Sequence, residues 1–342
     1  MSRGAAGTGR IVAAVLGPTA SGKSALGIAL AKRFDGEIIN CDSTAVYQGF
    51  DIGTDKVRPS DQQGVPHHLI GVVAPTFEYT AADFARDAMQ AIEQIRDRGR
   101  LPILVGGTGF YYRALVRGLF PGPARDPDIR ARLERIAGSR GVERLHRWLA
   151  RIDPPSAVRI QARDLVRVIR ALEVYLKSGR SLTDHFADTR APLDGWMVAG
   201  VAVAPPWNQI TDRIAHRVDD QFARGIVAEV RQALADGVPE TARPFTGYVY
   251  RRVLEHVRDE RDEASTRELI VRENRHYARR QLIWFRKEPN LVWIHRAGER
   301  DESIDDAERA LKARLGPFST SGPLAEQATH DPVCRDEGAG GS

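Results

Sequence analysis

The 342-residue chain has two cysteines, Cys41 and Cys334. That scarcity excludes a disulfide framework and a cysteine-built zinc site, and it suits a reducing interior. No apolar run approaches the ~18–20 residues of a membrane span. The N-terminus offers one arginine ahead of a short apolar run and lacks the form of a secretory signal. A cytoplasmic protein with no membrane partner is therefore expected. Internal repeats are absent, so a solenoid is not expected. Charge is nearly balanced, with 50 Lys and Arg against 45 Asp and Glu, a net of +5. A balance this slight leaves a nucleic-acid partner open, and only clustering of the positive residues could argue for one. At 42% hydrophobic and 28% charged the composition is that of a globular protein with a substantial core, in one large domain or two ordinary ones.

What is present organises around Gly17–Ser24, GPTASGKS, directly behind the apolar run Ile11–Leu16. It fits G-x-x-x-x-G-K-[ST] in the context that pattern requires: a buried strand, a glycine turn and a helix starting at once. Backbone N–H groups of Gly17, Pro18's neighbours Thr19 and Ala20, then Ser21 and Gly22 would converge on one anion, favoured also by the helix dipole. Lys23 adds a mobile positive charge and Ser24 a hydroxyl able to hold Mg²⁺. The loop reads phosphate oxygens only, so the identity of the phosphate compound rests on the rest of the chain.

Further strands are expected at Glu37–Asp42, His68–Val73, Leu101–Gly107, Met197–Ala204 and Leu291–His295. Helices are expected at Thr80–Arg98, from Thr108 to Val116, about Asn208–Arg224, Ile226–Asp236, Tyr248–Arg258, Thr266–Lys287 and Ile304–Leu315. This alternation predicts an α/β fold, a P-loop NTPase-like parallel sheet flanked by helices, with an all-helical insert. The boundaries expected are a core over 10–125, an insert over 126–190, the core resuming over 195–316, a frayed segment 1–9 and a disordered tail 317–342. Ligands of such sheets sit at the carboxyl ends of the strands, which brings Gly17–Ser24, Asp42 and Gly106–Thr108 to one rim.

At that rim Asp42 is either a turn aspartate or a functional carboxylate that holds Mg²⁺ through water or takes a proton from a nucleophile. Thr108 stands where phosphate-loop NTPases usually place a metal-holding aspartate, and the glycines before it suggest close approach of backbone to a ligand. Arg213 and Arg217 share a helix face, and pairing with Asp219 or Asp220 is the bland alternative for both. From Thr266 to Lys287, Arg267, Arg272, Arg275, Arg279, Arg280, Arg286 and Lys287 oppose only Glu268 and Glu273, with Tyr277, Trp284 and Phe285 interleaved. Such clustering resembles a footprint for a phosphate backbone. Arg163, Arg167 and Arg170 make a second basic patch in the insert. His67 and His68, adjacent in a strand, point apart and are read as structural.

From about Ile11 to Leu315 the chain resembles the bacterial tRNA dimethylallyltransferases. The resemblance is carried by GPTASGKS, DSTAVYQGFDIGTDK (Asp42–Lys56), PHHLIG (Pro66–Gly71), LVGGTGFYY (Leu104–Tyr112) and YARRQLIWFRK (Tyr277–Lys287). It implies transfer of a dimethylallyl group from dimethylallyl diphosphate to N6 of the adenine 3′ of the anticodon. Under it the phosphate loop holds the diphosphate, with Thr19, Lys23 and Arg213 around it and Ser24 on Mg²⁺. Asp42 becomes the general base and Thr108 a support of the transfer site. A tRNA anticodon stem-loop would meet Asp42, Ser43, Thr44, Ala45, Arg167, Arg170, Gly247, Tyr248, Arg275, Arg279 and Arg280, and a monomer is expected. Family members often carry Gln where Ala45 stands and a polar residue at Val166. A Gly-Tyr-Arg/Lys-Glu motif appears as Gly247-Tyr248-Val249-Tyr250, and a customary Thr is Ile283. These departures lie in regions the family uses to touch tRNA, and leave room for a different tRNA preference. Competing readings are an adenylate isopentenyltransferase, which would lack the large insert and basic helix, a small-molecule kinase, and a catalytically silent RNA-binding protein.

Overall fold

Residues 10–315 are described by the computed structural model; the expected frayed segment 1–9 and the tail 317–342, with Cys334, lie outside the described residues. Among the described residues there are six strands: β1 (Ile11–Leu16), β2 (Gly36–Cys41), β3 (His67–His68), β4 (Leu101–Gly106), β5 (Met197–Val203) and β6 (Leu291–Ile294). They form one sheet in the order β3-β2-β4-β1-β5-β6, with every pair parallel.

The alternation of side chains along each strand divides the core into two layers. Val12, Ala14, Leu16, Ile39, Cys41 and Leu104 face one layer, covered by α2 (Ala81–Asp97), α3 (Gly109–Arg117), α10 (Ile226–Ala235), α11 (Tyr248–Val257) and α12 (Glu263–Phe285). Ala13, Val15, Ile38, Ile103 and Val105 face the other, covered by α1 (Lys23–Arg33) and α13 (Asp301–Leu315). Both faces being covered, the strands read as nearly unbroken apolar runs, as in β1, where only Ile11 is not fully buried. The helix α9 (Trp207–Ala223) packs along α12, with Ile210 and Ile214 against Ala20 and Ala278.

Between α3 and β5 lie α4 (Pro127–Arg140), α5 (Val142–Ile152), α6 (Pro154–Arg159), α7 (Leu165–Ser178) and α8 (Leu182–Ala187). These helices carry a hydrophobic cluster of their own, including Leu133, Leu149, Val168 and Leu172. Two buried carboxylates tie them together. Glu173 accepts from Asp126 N at 2.7 Å, Arg130 Nε at 3.0 Å and Arg170 Nη1 at 2.8 Å. Asp153 accepts from Ser156 N at 3.1 Å and Thr183 N at 3.0 Å. The all-helical insert is as expected, and its α6 and α8 have six residues each, too few for a period to register in the sequence.

One expected strand is much shorter than its apolar run. His68–Val73 contributes only His68 to β3, because Leu69 adopts a φ of 61° and Gly71 one of 59°, which turn the chain out of the sheet. The two histidines are structural, as expected. His67 Nδ1 meets Val65 O at 2.8 Å, and His68 Nε2 meets the buried Glu37 carboxylate at 2.6 Å.

Candidate active site

The phosphate loop leaves β1 and turns into α1 through Gly22, whose φ of 87° is left-handed. A side chain there would also press on the backbone of Gly298, its Cβ 2.6 Å from Gly298 N, so glycine is required twice over. Lys23 lies at the floor of the loop, its Nζ 3.3 Å from Pro18 O. Burial, with a smaller push from Arg217, brings its pKa down to about 8, against the opposing pull of Asp42 and Asp55. Arg217 reaches in from α9 and donates to Thr19 Oγ1 at 2.8 Å. It also pairs with Asp55 Oδ2 at 3.2 Å, and Arg224 approaches Asp55 Oδ1 at 3.8 Å. Burial pushes the Asp55 carboxyl up despite these cations. Arg213, one turn before Arg217, pairs with Glu299 and lines with Arg217 and Arg224 an open cavity of about 600 Å³ beside Ala20.

Neither arginine takes the Asp219 or Asp220 partner that the sequence offered as the bland alternative; Asp219 pairs with Arg267 instead. Asp55 and Arg224, which the sequence had not singled out, therefore stand with Arg217 beside the loop. Spacing could not separate Arg217 from Arg213, which share a helix face; a partner 162 positions earlier in the chain, Asp55, does so.

Asp42 follows β2 immediately. Its Oδ1 accepts from Thr44 N at 2.9 Å and Thr44 Oγ1 at 2.7 Å, while Oδ2 makes no hydrogen bond among the described residues. Thr108 follows β4; its Oγ1 accepts from Ser43 N at 3.0 Å rather than capping α3. Tyr277 of α12 lies beside both, and burial together with the Asp42 charge raises its phenol well above the usual range. The ends of β2, β4 and β1 are consecutive in the sheet, so Asp42 and the phosphate loop stand two strand spacings apart, about 10 Å.

Gly106 and Gly107 were expected to admit a ligand; they admit the protein instead. Side chains there would strike Cys41 O and Gln281 Nε2. Gln281, buried near the C-terminal end of the basic helix, joins the two edges of the rim. Its Oε1 accepts from Thr19 N at 2.9 Å and its Nε2 donates to Gly107 O at 2.9 Å. Sequence reasoning passed over it because the arginines around it dominate the pattern of that helix.

A family model described as IPP transferase matches residues 45–288. The tRNA dimethylallyltransferase of Solibacter usitatus is 44% identical over 310 residues, covering 89% of this chain and 98% of that protein. That of Geobacter metallireducens is 42% identical, covering 85% and 94%. The chain belongs to the tRNA dimethylallyltransferase family. Solved structures agree: a full-length tRNA isopentenylpyrophosphate transferase from Bacillus halodurans aligns with a TM-score of 0.66 at 34% identity, covering 90% of this chain and 97% of that one. A eukaryotic dimethylallyltransferase acting on tRNA aligns with a TM-score of 0.70 at 26% identity, covering 89% and 77%.

The residues that resemblance to the tRNA dimethylallyltransferases assigned to RNA fall into three groups. Ser43, Thr44, Gly247, Tyr248 and Arg280 are at the rim with Asp42. Gly247 backs onto Thr44, the Tyr248 and Tyr277 rings lie 5.6 Å apart, and Arg280 donates to Tyr248 OH at 2.6 Å. Arg275 and Arg279 sit on the opposite face of α12 from Tyr277 and Gln281, lining a groove of about 660 Å³ against α9, where Arg279 lies 4.8 Å over the Trp207 ring. Arg167 is exposed beside Asp164.

The third group is turned inward. Ala45 is buried, with 5% of its surface exposed, so its methyl offers nothing to a partner. Arg170 is held by Glu173 and by Pro123 O at 2.9 Å, which makes it an internal strut of the insert rather than a free cation. Tyr250 is buried as well. Its phenol joins Glu229 and accepts from Gly53 N at 2.9 Å, while Glu229 accepts from Asp51 N and Ile52 N, each at 2.9 Å. The family departure at this position thus secures the 51–53 loop. The departures Val166 and Ile283 do reach the surface, and Val249 is half-buried.

For the expected Mg²⁺ the donor set is slight. Among the described residues no group of three or more His, Cys, Asp or Glu side chains could cage a metal. Ser24 Oγ is exposed and makes no hydrogen bond among the described residues, which fits an ion that keeps most of its ligands from phosphate and water. No helix among the described residues is long and apolar enough to cross a membrane.

Proposed function

We propose that this chain transfers the dimethylallyl group of dimethylallyl diphosphate to N6 of the adenine 3′ of the anticodon of tRNA and releases diphosphate. One observation carries the reading. The strand ends that carry a cationic phosphate loop and Asp42, whose Oδ2 makes no hydrogen bond among the described residues, lie two strand spacings, about 10 Å, apart on either side of β4. That gap suits a short alkyl chain lying between a bound diphosphate and an incoming amine.

Each residue then has a task. The loop amides of 20–22 and Lys23 bind the diphosphate, Pro18 having no N–H and Thr19 N being given to Gln281; Arg217 holds Thr19 in place, and Arg213 stands at the open cavity beside them. Ser24 would hold Mg²⁺ with diphosphate oxygens and water, and the ion when bound adds positive charge against the departing anion. The adenine leaves the anticodon stack to reach the rim. Its N6 lone pair forms the new bond to C1 of the allyl group as the C1–oxygen bond breaks, the electron pair leaving with diphosphate. The N6 proton passes to Asp42, whose free Oδ2 can accept it while Thr44 fixes the other oxygen. Thr108, through Ser43 N, keeps the residue after Asp42 in register. Lys23 and the arginines screen the charge that grows on the leaving group.

Tyr248, Arg280, Arg167 and Arg163 are the contacts offered to the anticodon stem-loop, with helices 126–190 as the RNA-facing insert. The protein is read as a cytoplasmic monomer. The test is transfer of radiolabel from dimethylallyl diphosphate to an anticodon stem-loop, with free AMP and labelled ATP alongside. Label on the stem-loop supports the reading; label on AMP alone, or consumption of ATP without transfer, contradicts it.

A further inference from the structure

The segment between β6 and α13 lies directly on the phosphate loop. Gly298 N donates to Ser21 O at 3.0 Å, and a methyl group at Gly298 would press on Gly22 O at 2.5 Å. This contact delivers the Glu299 side chain to the mouth of the loop. One of its carboxylate oxygens covers the Cα of Gly22, at the N-terminus of α1, and the other pairs with Arg213. A carboxylate thus stands at the positive end of a helix and on an arginine of the anion cavity, where a phosphate oxygen would gain from the same two partners. The pair is partly open to solvent, 37% on the arginine and 41% on the glutamate side chain, so it is weak enough for a multiply charged anion to displace.

We propose that Glu299 is a positioning residue that sets the anion affinity of the phosphate loop by competing with diphosphate for Arg213. When the loop is empty, Glu299 holds Arg213 beside Gly22. When diphosphate arrives, Arg213 transfers to it and Glu299 is released towards solvent, its charge opposing the new occupant. The same charge favours departure of the diphosphate product. This rests on the reading of the loop as the diphosphate site.

The experiment measures the affinity of inorganic diphosphate by calorimetry for the full chain, Glu299→Gln, Arg213→Ala and the double variant. Glutamine keeps the shape of the segment and removes the charge. The expected result is about fivefold tighter binding to Glu299→Gln, with the gain abolished in the Arg213→Ala background. In turnover, Glu299→Gln lowers KM for dimethylallyl diphosphate and does not raise kcat. Diphosphate that binds the wild type but no more tightly to Glu299→Gln overturns the role of Glu299 and leaves that of the loop intact. An equal gain in the Arg213→Ala background also overturns it, since competition requires the arginine. A wild type that binds no diphosphate overturns the reading of the loop and the proposal with it.

Discussion

If diphosphate occupies the phosphate loop, Lys23 should change its protonation as the loop fills. Burial and the nearby Arg217 lower its pKa from the 10.5 of a free lysine to about 8. At pH 8.5 roughly three quarters of the empty protein would carry it neutral. A diphosphate beside the ammonium reverses the balance, so binding at that pH takes up close to one proton per site, roughly 0.7. Calorimetry with dimethylallyl diphosphate in two buffers of different ionisation enthalpy reads that uptake. Lys23→Met supplies the baseline for proton exchange by the ligand itself. Uptake should fall to nearly zero at pH 6.5, where lysine is charged throughout. The sign for stability runs the other way from that of a paired lysine. Because the folded pKa is below the unfolded one, the charged lysine destabilises the fold below pH 8, and that penalty is relieved as pH rises from about 8 towards 10.5. Lys23→Met should accordingly raise Tm at pH 7 while weakening the binding of diphosphate to a level calorimetry at high ligand concentration still reads. Equal proton exchange by wild type and Lys23→Met at pH 8.5 would refute the reasoning.

Two further outcomes follow from particular contacts. Gln281→Leu strands Thr19 N and Gly107 O, so stability should fall by about 1–3 kcal/mol in chemical denaturation and KM for the diphosphate substrate should rise; unchanged kinetics would remove Gln281 from the site. Arg170→Ala should lower the stability of the insert with little direct effect on RNA contact, whereas Arg280→Ala should weaken stem-loop binding with the fold intact, both read by melting curves and filter binding; the reverse pattern would contradict their placement.

The parallel sheet was legible because its signals are local. An apolar run, a glycine turn and an immediate helix occupy adjacent residues at Ile11–Arg33, and the strand-end rule then brought Asp42 and Thr108 to the same edge without any long-range information. Several helices of the core were equally plain, since α9, α10, α11 and α13 each carry an apolar period and a polar face. What stayed hidden depends on partners distant in the chain. Arg217 earns its place from Asp55, Gln281 from Thr19 and Gly107, and Arg170 is withdrawn from the surface by Glu173. Tyr250 looked like a lost RNA contact and is a buried link to Glu229 and Gly53. The glycines of VGGTG were read for a ligand when the close neighbours are Cys41 and Gln281. Sequence spacing reports which face a side chain takes; it does not report what waits on that face.

The most direct test of the account is a single-turnover measurement of Asp42→Asn, with stem-loop and dimethylallyl diphosphate both saturating. Asparagine keeps the bonds from Thr44 and cannot take the N6 proton. The account predicts that transfer slows by ~10²–10⁴-fold while the affinities for stem-loop and diphosphate stay within about twofold, a change too small to count as lost contact. Transfer at an undiminished rate would contradict it, because the proton would then have another acceptor and Asp42 would be no more than a turn residue.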